Sequence, residues 1–154
     1  MRNTTLCYIE KDGSYLMLHR VKKKNDENEG KYVGIGGHFL ENESPYECVI
    51  REAKEETGLD ISPIYRGIVT FVSDKYECEQ MHLFTCLEYS GKMIECQEGN
   101  LEWVKKSSLQ NIPMWQGDYI FFDLLEKREK FFSLRLEYKG DTLISYSIDG
   151  VKIK

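Results

Sequence analysis

Three glutamates, Glu52, Glu55 and Glu56, stand three and four residues apart. On a helix that spacing gathers their carboxylates within an arc of roughly 100° and makes them surface neighbours. Such a cluster works against the helix that carries it. Like charges at i,i+4 cost about 0.2–0.5 kcal/mol per pair. Two of the acids also fall in the last turn, at the negative end of the helix dipole. Hard cations would stabilise the arrangement, because clustered carboxylate oxygens suit Mg²⁺ or Mn²⁺. A solvated acidic face, relieved by Arg51 and Lys54, is the other reading these residues allow.

The helix that must hold the glutamates has complete start and stop signals. Ser44 is placed to cap it, Pro45 takes the first position, and Glu47 closes a capping box. Gly58 follows the last turn, and Leu59 resumes the apolar chain. Tyr46, Val49, Ile50 and Ala53 share one face at about 100° per residue and should pack on a sheet. A glycine-rich passage, Gly34-Ile35-Gly36-Gly37, precedes the helix.

The rest of the chain supplies that sheet. Residues 4–10 and 15–20 read as a hairpin about Lys11-Asp12-Gly13-Ser14. Strands follow at 61–72, interrupted at Gly67, and at 81–89 and 101–104. Residues 117–130 look helical, and 131–138 pairs with 142–148 in a terminal hairpin. Interleaved strands and helices with short links predict a mixed sheet with helices on its faces. Residues 22–30 form a loop too polar to bury.

Bulk properties narrow the class. The 154 residues hold 26 acids and 21 lysines and arginines, a formal charge of −5. This length fits a single domain over 1–154. The acid excess argues against a nucleic-acid polymer as partner. No apolar run approaches the roughly 18–20 residues of a membrane span, and no secretory signal is visible at the N-terminus. Cys7, Cys48, Cys78, Cys86 and Cys96 are odd in number, widely spread and without a CxxC pair. They read as free thiols in a reducing cytoplasm rather than a disulfide framework or a zinc site. A small phosphorylated partner stays compatible with the charge if a cation accompanies it. Residues 37–59 hold six acids and two bases, so most of the excess sits around the glutamate helix.

The spacing around that helix is specific. Gly37 is followed after five residues by Glu43, then after seven by Arg51-Glu52-Ala53, then Glu55-Glu56 and Gly58-Leu59. Seven specified residues at ordinary usage would coincide less than roughly once in 10⁸ start positions. This pattern resembles the Nudix box at every fixed position. The resemblance implies an α+β protein: an α/β/α sandwich with a mixed central sheet, whose loop–helix–loop cleaves nucleoside diphosphate derivatives with Mg²⁺ or Mn²⁺. It implies that Glu52 and Glu56 are the principal metal ligands, with Glu55 a further ligand or base. A carbonyl at Gly37 would contribute, Arg51 would orient the glutamates, and Glu43 would support them. A fourth carboxylate usually comes from a separate loop, where Glu98 is the candidate.

Beyond the box, the layout is similar to MutT-type 8-oxo-dGTP diphosphatases of Gram-positive bacteria. Residues 112–118 resemble the base-binding segment of mammalian oxidised-purine triphosphatases, in which a tryptophan stacks on the purine and an acidic pair reads its edge. Trp115 and Asp118 match, Gly117 replaces the first acid, and Val33 stands where that family has a base-reading asparagine. Trp115 and Met114 could equally be core, with Asp118 capping the following helix. Arg20 aligns with a substrate-contacting basic position, and the lysines at 22, 23 and 24 could help. Tyr32, Phe71 and Met81 could be pocket wall or packing. His19, His38 and His82 have no ligand-type spacing.

The leading expectation is nucleotide-pool sanitation, and so a part in DNA repair. An oxidised purine triphosphate would go to the monophosphate and pyrophosphate, in the cytoplasm, on a monomer or weak dimer. A Nudix hydrolase of another nucleotide, ADP-ribose or a nucleotide sugar is the second reading. A non-catalytic nucleotide-binding module is the third.

Overall fold

A computed structural model describes residues 1–22 and 26–154. The strands are β1 (Arg2–Lys11), β2 (Ser14–His19), β3 (Tyr32–Val33), β4 (Leu59–Ser73), β5 (Glu79–Gly91), β6 (Asn100–Lys105), β7 (Phe132–Lys139), β8 (Thr142–Ile148) and β9 (Val151–Lys152). The helices are α1 (Pro45–Thr57) and α2 (Gln116–Lys127), with a 3₁₀ turn at Lys106–Asn111 before α2. The strands join in one sheet, in the order β3-β2-β1-β5-β4-β7-β8-β9, with β6 also on β2. β1 runs parallel to β5, and β4 parallel to β7; the other pairs are antiparallel. This is the mixed sheet expected.

Alternation sorts the side chains into two cores. Cys7, Ile9, Leu16 and Leu18 face Val49 and Ala53 of α1. Tyr8, Tyr15 and Met17 face Phe121, Phe122 and Leu125 of α2. The layers are therefore helix, sheet, helix. The interruption at Gly67 also has a cause. The β4–β5 register shifts between Tyr65 and Gly67, and a Cβ at Gly67 would stand 2.6 Å from the Phe132 carbonyl oxygen on β7.

One expectation about α1 needs correction. Val49 and Ala53 are fully buried, but Tyr46 and Ile50 remain 45% and 42% exposed. Cys48 and Thr57 complete the buried face in their place. Tyr46 lies half exposed over the central strands β4 and β5, 5.2 Å from the Phe84 ring and 5.9 Å from that of Tyr65. The two-residue strands β3 and β9 carry too little periodicity to be read from sequence.

A seam in the sheet positions the site. β1 pairs with β2 only over Ile9, Glu10 and Lys11. Nearer its start, its free edge is taken by the glycine passage. The Thr5 N–H donates to Gly37 O at 2.9 Å, and Cys7 and Ile35 exchange hydrogen bonds at 2.6 and 3.0 Å. The approach is so close that a Cβ at Gly36 would lie 1.9 Å from Thr5 O. The chain then leaves the seam and enters α1.

Candidate active site

The capping expected for α1 is present. Ser44 Oγ accepts from the Glu47 N–H at 3.1 Å, and Glu47 Oε1 from the Ser44 N–H at 2.9 Å. Gly58 is left-handed at φ 80°, and its N–H donates to the Lys54 carbonyl. A helix fixed at both ends holds its acidic face in one orientation against the glycine seam. The contact is tight: a Cβ at Gly37 would lie 2.6 Å from Glu52 Cδ.

Arg51 organises that face. Its guanidinium donates to Glu43 through Nε and Nη2 at 2.7 and 2.9 Å, to Glu52 through Nη1 at 2.9 Å and to Glu55 through Nη1 at 3.2 Å. Nη2 also reaches the His38 carbonyl at 3.0 Å. The two-pronged contact holds the Glu43 carboxyl down to about 2. It drives the guanidinium pKa further up. Of the two i,i+4 partners open to Arg51, Glu55 is the one engaged, since Glu47 is spent on the cap.

Glu56 is the buried member, with 8% exposure, and its Oε1 accepts from the Gly36 N–H at 3.1 Å. Burial, together with the charges of Glu52 and Glu98, pushes its carboxyl well above the ordinary range. A sunken carboxylate facing two others lacks a positive charge, and these oxygen donors fit a divalent cation. Among the described residues no three carboxylate, imidazole or thiolate side chains already converge as a cage. Arg51 draws Glu52 and Glu55 to itself, and Glu98 leans toward Arg20 at 3.7 Å. The Gly37 carbonyl accepts from the Thr5 N–H at 2.9 Å and, at longer range, from Thr5 Oγ1 at 3.5 Å and Cys48 Sγ at 3.7 Å.

Above this face opens a cleft of about 610 Å³, within the range of small-molecule sites. Its lining brings together Glu52 of α1 with Gly37, Arg20 and Glu98, and Trp115 and Asp118 from the entry and first turn of α2. Arg20 does not stand free: Asp26 Oδ2 lies 2.6 Å from its Nη2. The indole N–H of Trp115 donates to Asn28 Oδ1 at 2.7 Å, and Lys31 Nζ lies 4.7 Å from the ring centroid. Asp118 sits in the first turn of α2 but makes no capping hydrogen bond. It is 7% exposed, and burial, only partly offset by the Lys31 charge, pushes its carboxyl up to about 8. Asp118 is therefore a neutral acid at neutral pH, able to donate as well as accept.

Phe71 and Met81 line the cleft, whereas Tyr32 is not among the lining residues. The placement of Tyr32 in the pocket is thus corrected. Its ring stacks on His19 at 4.1 Å and its hydroxyl donates to Glu102 at 3.2 Å. His19 and His82 are likewise held structurally, His19 by Glu102 and the Gly30 carbonyl and His82 by Asn3 and Tyr65. Lys22 turns to the Cys96 carbonyl at 2.8 Å, and Lys23 and Lys24 lie outside the described residues. Several lining residues have no signature in the sequence: Asp26 and Asn28 from the polar loop, Tyr8 from β1, Tyr138 from β7. Arg2 and Glu79 also line the cleft, paired at 3.4 Å.

Comparison with known proteins agrees with this geometry. The NUDIX domain family matches residues 1–125. The uncharacterized Nudix hydrolase YvcI of Bacillus subtilis is 31% identical, over 100% of this chain and 98% of that protein. The oxidized purine nucleoside triphosphate hydrolase of Mus musculus is 28% identical, over 84% of each chain. The crystal structure of the MutT protein from Bacillus halodurans superposes with a TM-score of 0.85 at 28% identity, covering 97% of this chain and 98% of that one.

Proposed function

The chain belongs to the Nudix family and is a hydrolase of pyrophosphate bonds, and from that premise we propose that it converts oxidised purine nucleoside triphosphates, 8-oxo-dGTP among them, to the monophosphate and pyrophosphate. The observation that carries this reading is the two-ended cleft. It sets a carboxylate face opposite an indole and a buried neutral acid. A triphosphate needs the first and a purine the second. The named activity of the mouse relative is consistent with it.

Nudix hydrolases act on small nucleotides and generally use a divalent metal, typically Mg²⁺. In this chain Glu52, Glu56 and Glu98 would hold it, with the Gly37 carbonyl beside them. A bound cation supplies charge neutralisation at the phosphoryl oxygens and acidifies water. The remaining work falls to the protein. Arg51 keeps Glu52 and Glu55 in register, and Glu43 keeps Arg51. Arg20 offers a guanidinium to the phosphates. Trp115 stacks on the base, worth about 1–3 kcal/mol, and Asp118 meets its polar edge.

The water oxygen bonds to the β-phosphorus, and the bond to the oxygen bridging α and β breaks. A carboxylate of α1 takes the water proton, and the bridging oxygen stays on the monophosphate. The test is pyrophosphate release from 8-oxo-dGTP, dGTP, other nucleoside triphosphates, ADP-ribose and nucleotide sugars, with and without Mg²⁺. The reading requires kcat/KM to be highest for the oxidised purine. A higher value for ADP-ribose or a nucleotide sugar would replace it with the second reading.

A further inference from the structure

Tyr8 sits in the middle of β1, and its side chain is fully buried. Its ring packs well, 4.6 Å from that of Phe122 and 5.7 Å from that of Tyr15. A phenylalanine would make the same contacts. The hydroxyl is what needs explaining: it is buried, and although the Gly34 backbone N–H lies near it, no hydrogen bond of ordinary geometry reaches it. A buried donor left unpaired is costly, and native proteins rarely keep one without use. The neighbouring phenol on the cleft wall, Tyr138, shows the ordinary solution, accepting from the Gly117 N–H at 2.8 Å. Among the described residues Tyr8 is the one tyrosine whose buried hydroxyl lacks such a partner.

The surroundings of Tyr8 point to a ligand. Tyr8 lines the cleft together with Val33, Gly34, Phe71, Trp115 and Asp118. Val33 offers no polar side-chain atom there. Gly34 packs closely against the phenol: a Cβ on it would lie 3.1 Å from the hydroxyl oxygen and 2.9 Å from Cζ. Asp118 and the phenol are close enough to interact electrostatically, and burial already pushes the phenol upward. A hydroxyl both donates and accepts. Beside a protonated acid it would complete a two-point contact for a ring edge that presents a carbonyl and an N–H.

We propose that the Tyr8 hydroxyl is a specificity-determining contact of the base subsite, reading with Asp118 the polar edge of an oxo-purine stacked on Trp115. This rests on the purine triphosphate reading above and identifies the groups that select the base.

The experiment is Tyr8→Phe, with kcat and KM measured on 8-oxo-dGTP, dGTP, dATP and dTTP and with the melting temperature recorded. Removing the hydroxyl should raise KM for the oxo-purines about 5- to 10-fold. It should leave kcat and the values for dTTP near wild type, and leave the melting temperature equal or higher. Gly34→Ala, which crowds the same hydroxyl while leaving the Tyr8 side chain itself unaltered, should reproduce the KM effect and carries the test if Tyr8→Phe does not fold. Unchanged oxo-purine KM in the folded variant overturns the inference while the purine reading stands. Wild-type enzyme without preference for purines overturns both, and does so in the wild-type data alone.

Discussion

The two ends of the cleft are built by opposite means. At the carboxylate end one short stretch of chain does nearly everything. Glu43, Arg51, Glu52, Glu55 and Glu56 belong to a single capped helix and its entry, and one guanidinium ties Glu43, Glu52 and Glu55 together. At the base end Tyr8, Asn28, Phe71, Trp115, Asp118 and Tyr138 come from β1, the loop before β3, β4, the entry and first turn of α2, and β7. The first end is charged and hydrogen-bonded; the second is aromatic, with a few sunken polar atoms. Chemistry that every substrate shares can be fixed in one cassette. Recognition that must differ between substrates is spread over elements that can change one at a time.

If that division holds, damage at the carboxylate end should appear in kcat, and damage at the base end in KM. The largest effect belongs to Glu56→Gln. Its kcat should fall by more than about 100-fold in a protein that remains folded, since the substitution removes a carboxylate that a divalent cation would need as a ligand. Surviving turnover would dislodge Glu56 from the metal site. Glu43→Ala should come next, lowering kcat about 10- to 100-fold without direct contact with substrate, because Arg51 loses its two-pronged anchor. A rise in KM alone would place Glu43 at the wrong end of the comparison. Trp115→Ala should raise KM for purine triphosphates about 10-fold with kcat largely kept; equal KM values for every purine would remove it from the base subsite.

The smallest effect is on stability and comes from Asp118. Its folded pKa of about 8 lies above the ordinary 3.8. The folded state therefore holds a proton that the unfolded chain has lost, and the contribution is complete below about pH 4 and gone above about pH 8. The stability gap between wild type and Asp118→Asn, read from urea midpoints, should move against the wild type from about pH 5 to about pH 8.5. A constant gap would show that the acid is ionised throughout.

The same contrast decides what could be read from the sequence. The carboxylate end was legible because a helix converts spacing directly into neighbours. Ser44, Glu47 and Gly58 fix its limits, and i,i+3 and i,i+4 positions must meet. Strand alternation likewise gave β1, β2 and the terminal hairpin. The base end was legible only at Trp115 and Asp118, where resemblance supplied what periodicity could not. Tyr8 and Tyr138 look like ordinary core aromatics in alternating strands, and only tertiary packing shows that one hydroxyl has a partner and the other does not. Tyr32 could be pocket wall or packing for the same reason, and β3 turns its ring onto His19. Tyr46 and Ile50 satisfied the helical period yet stay half exposed, since periodicity reports a face and not the width of what covers it.

The parallel pairing of β4 with β7 has a consequence for the order in which the molecule can be completed. Gly67 meets Phe132, and the register runs on to Ser73 and Tyr138. A chain emerging from a ribosome therefore finishes α1 and its glycine seam well before the strand that carries Leu136 and Tyr138 exists. Pairings between distant segments form slowly, and a domain folds as a unit. Val69 and Phe71 therefore wait uncovered until β7 arrives. A product clipped before β7 would keep its glutamates and lose its solubility, so the last strands act as the molecule's own seal against aggregation.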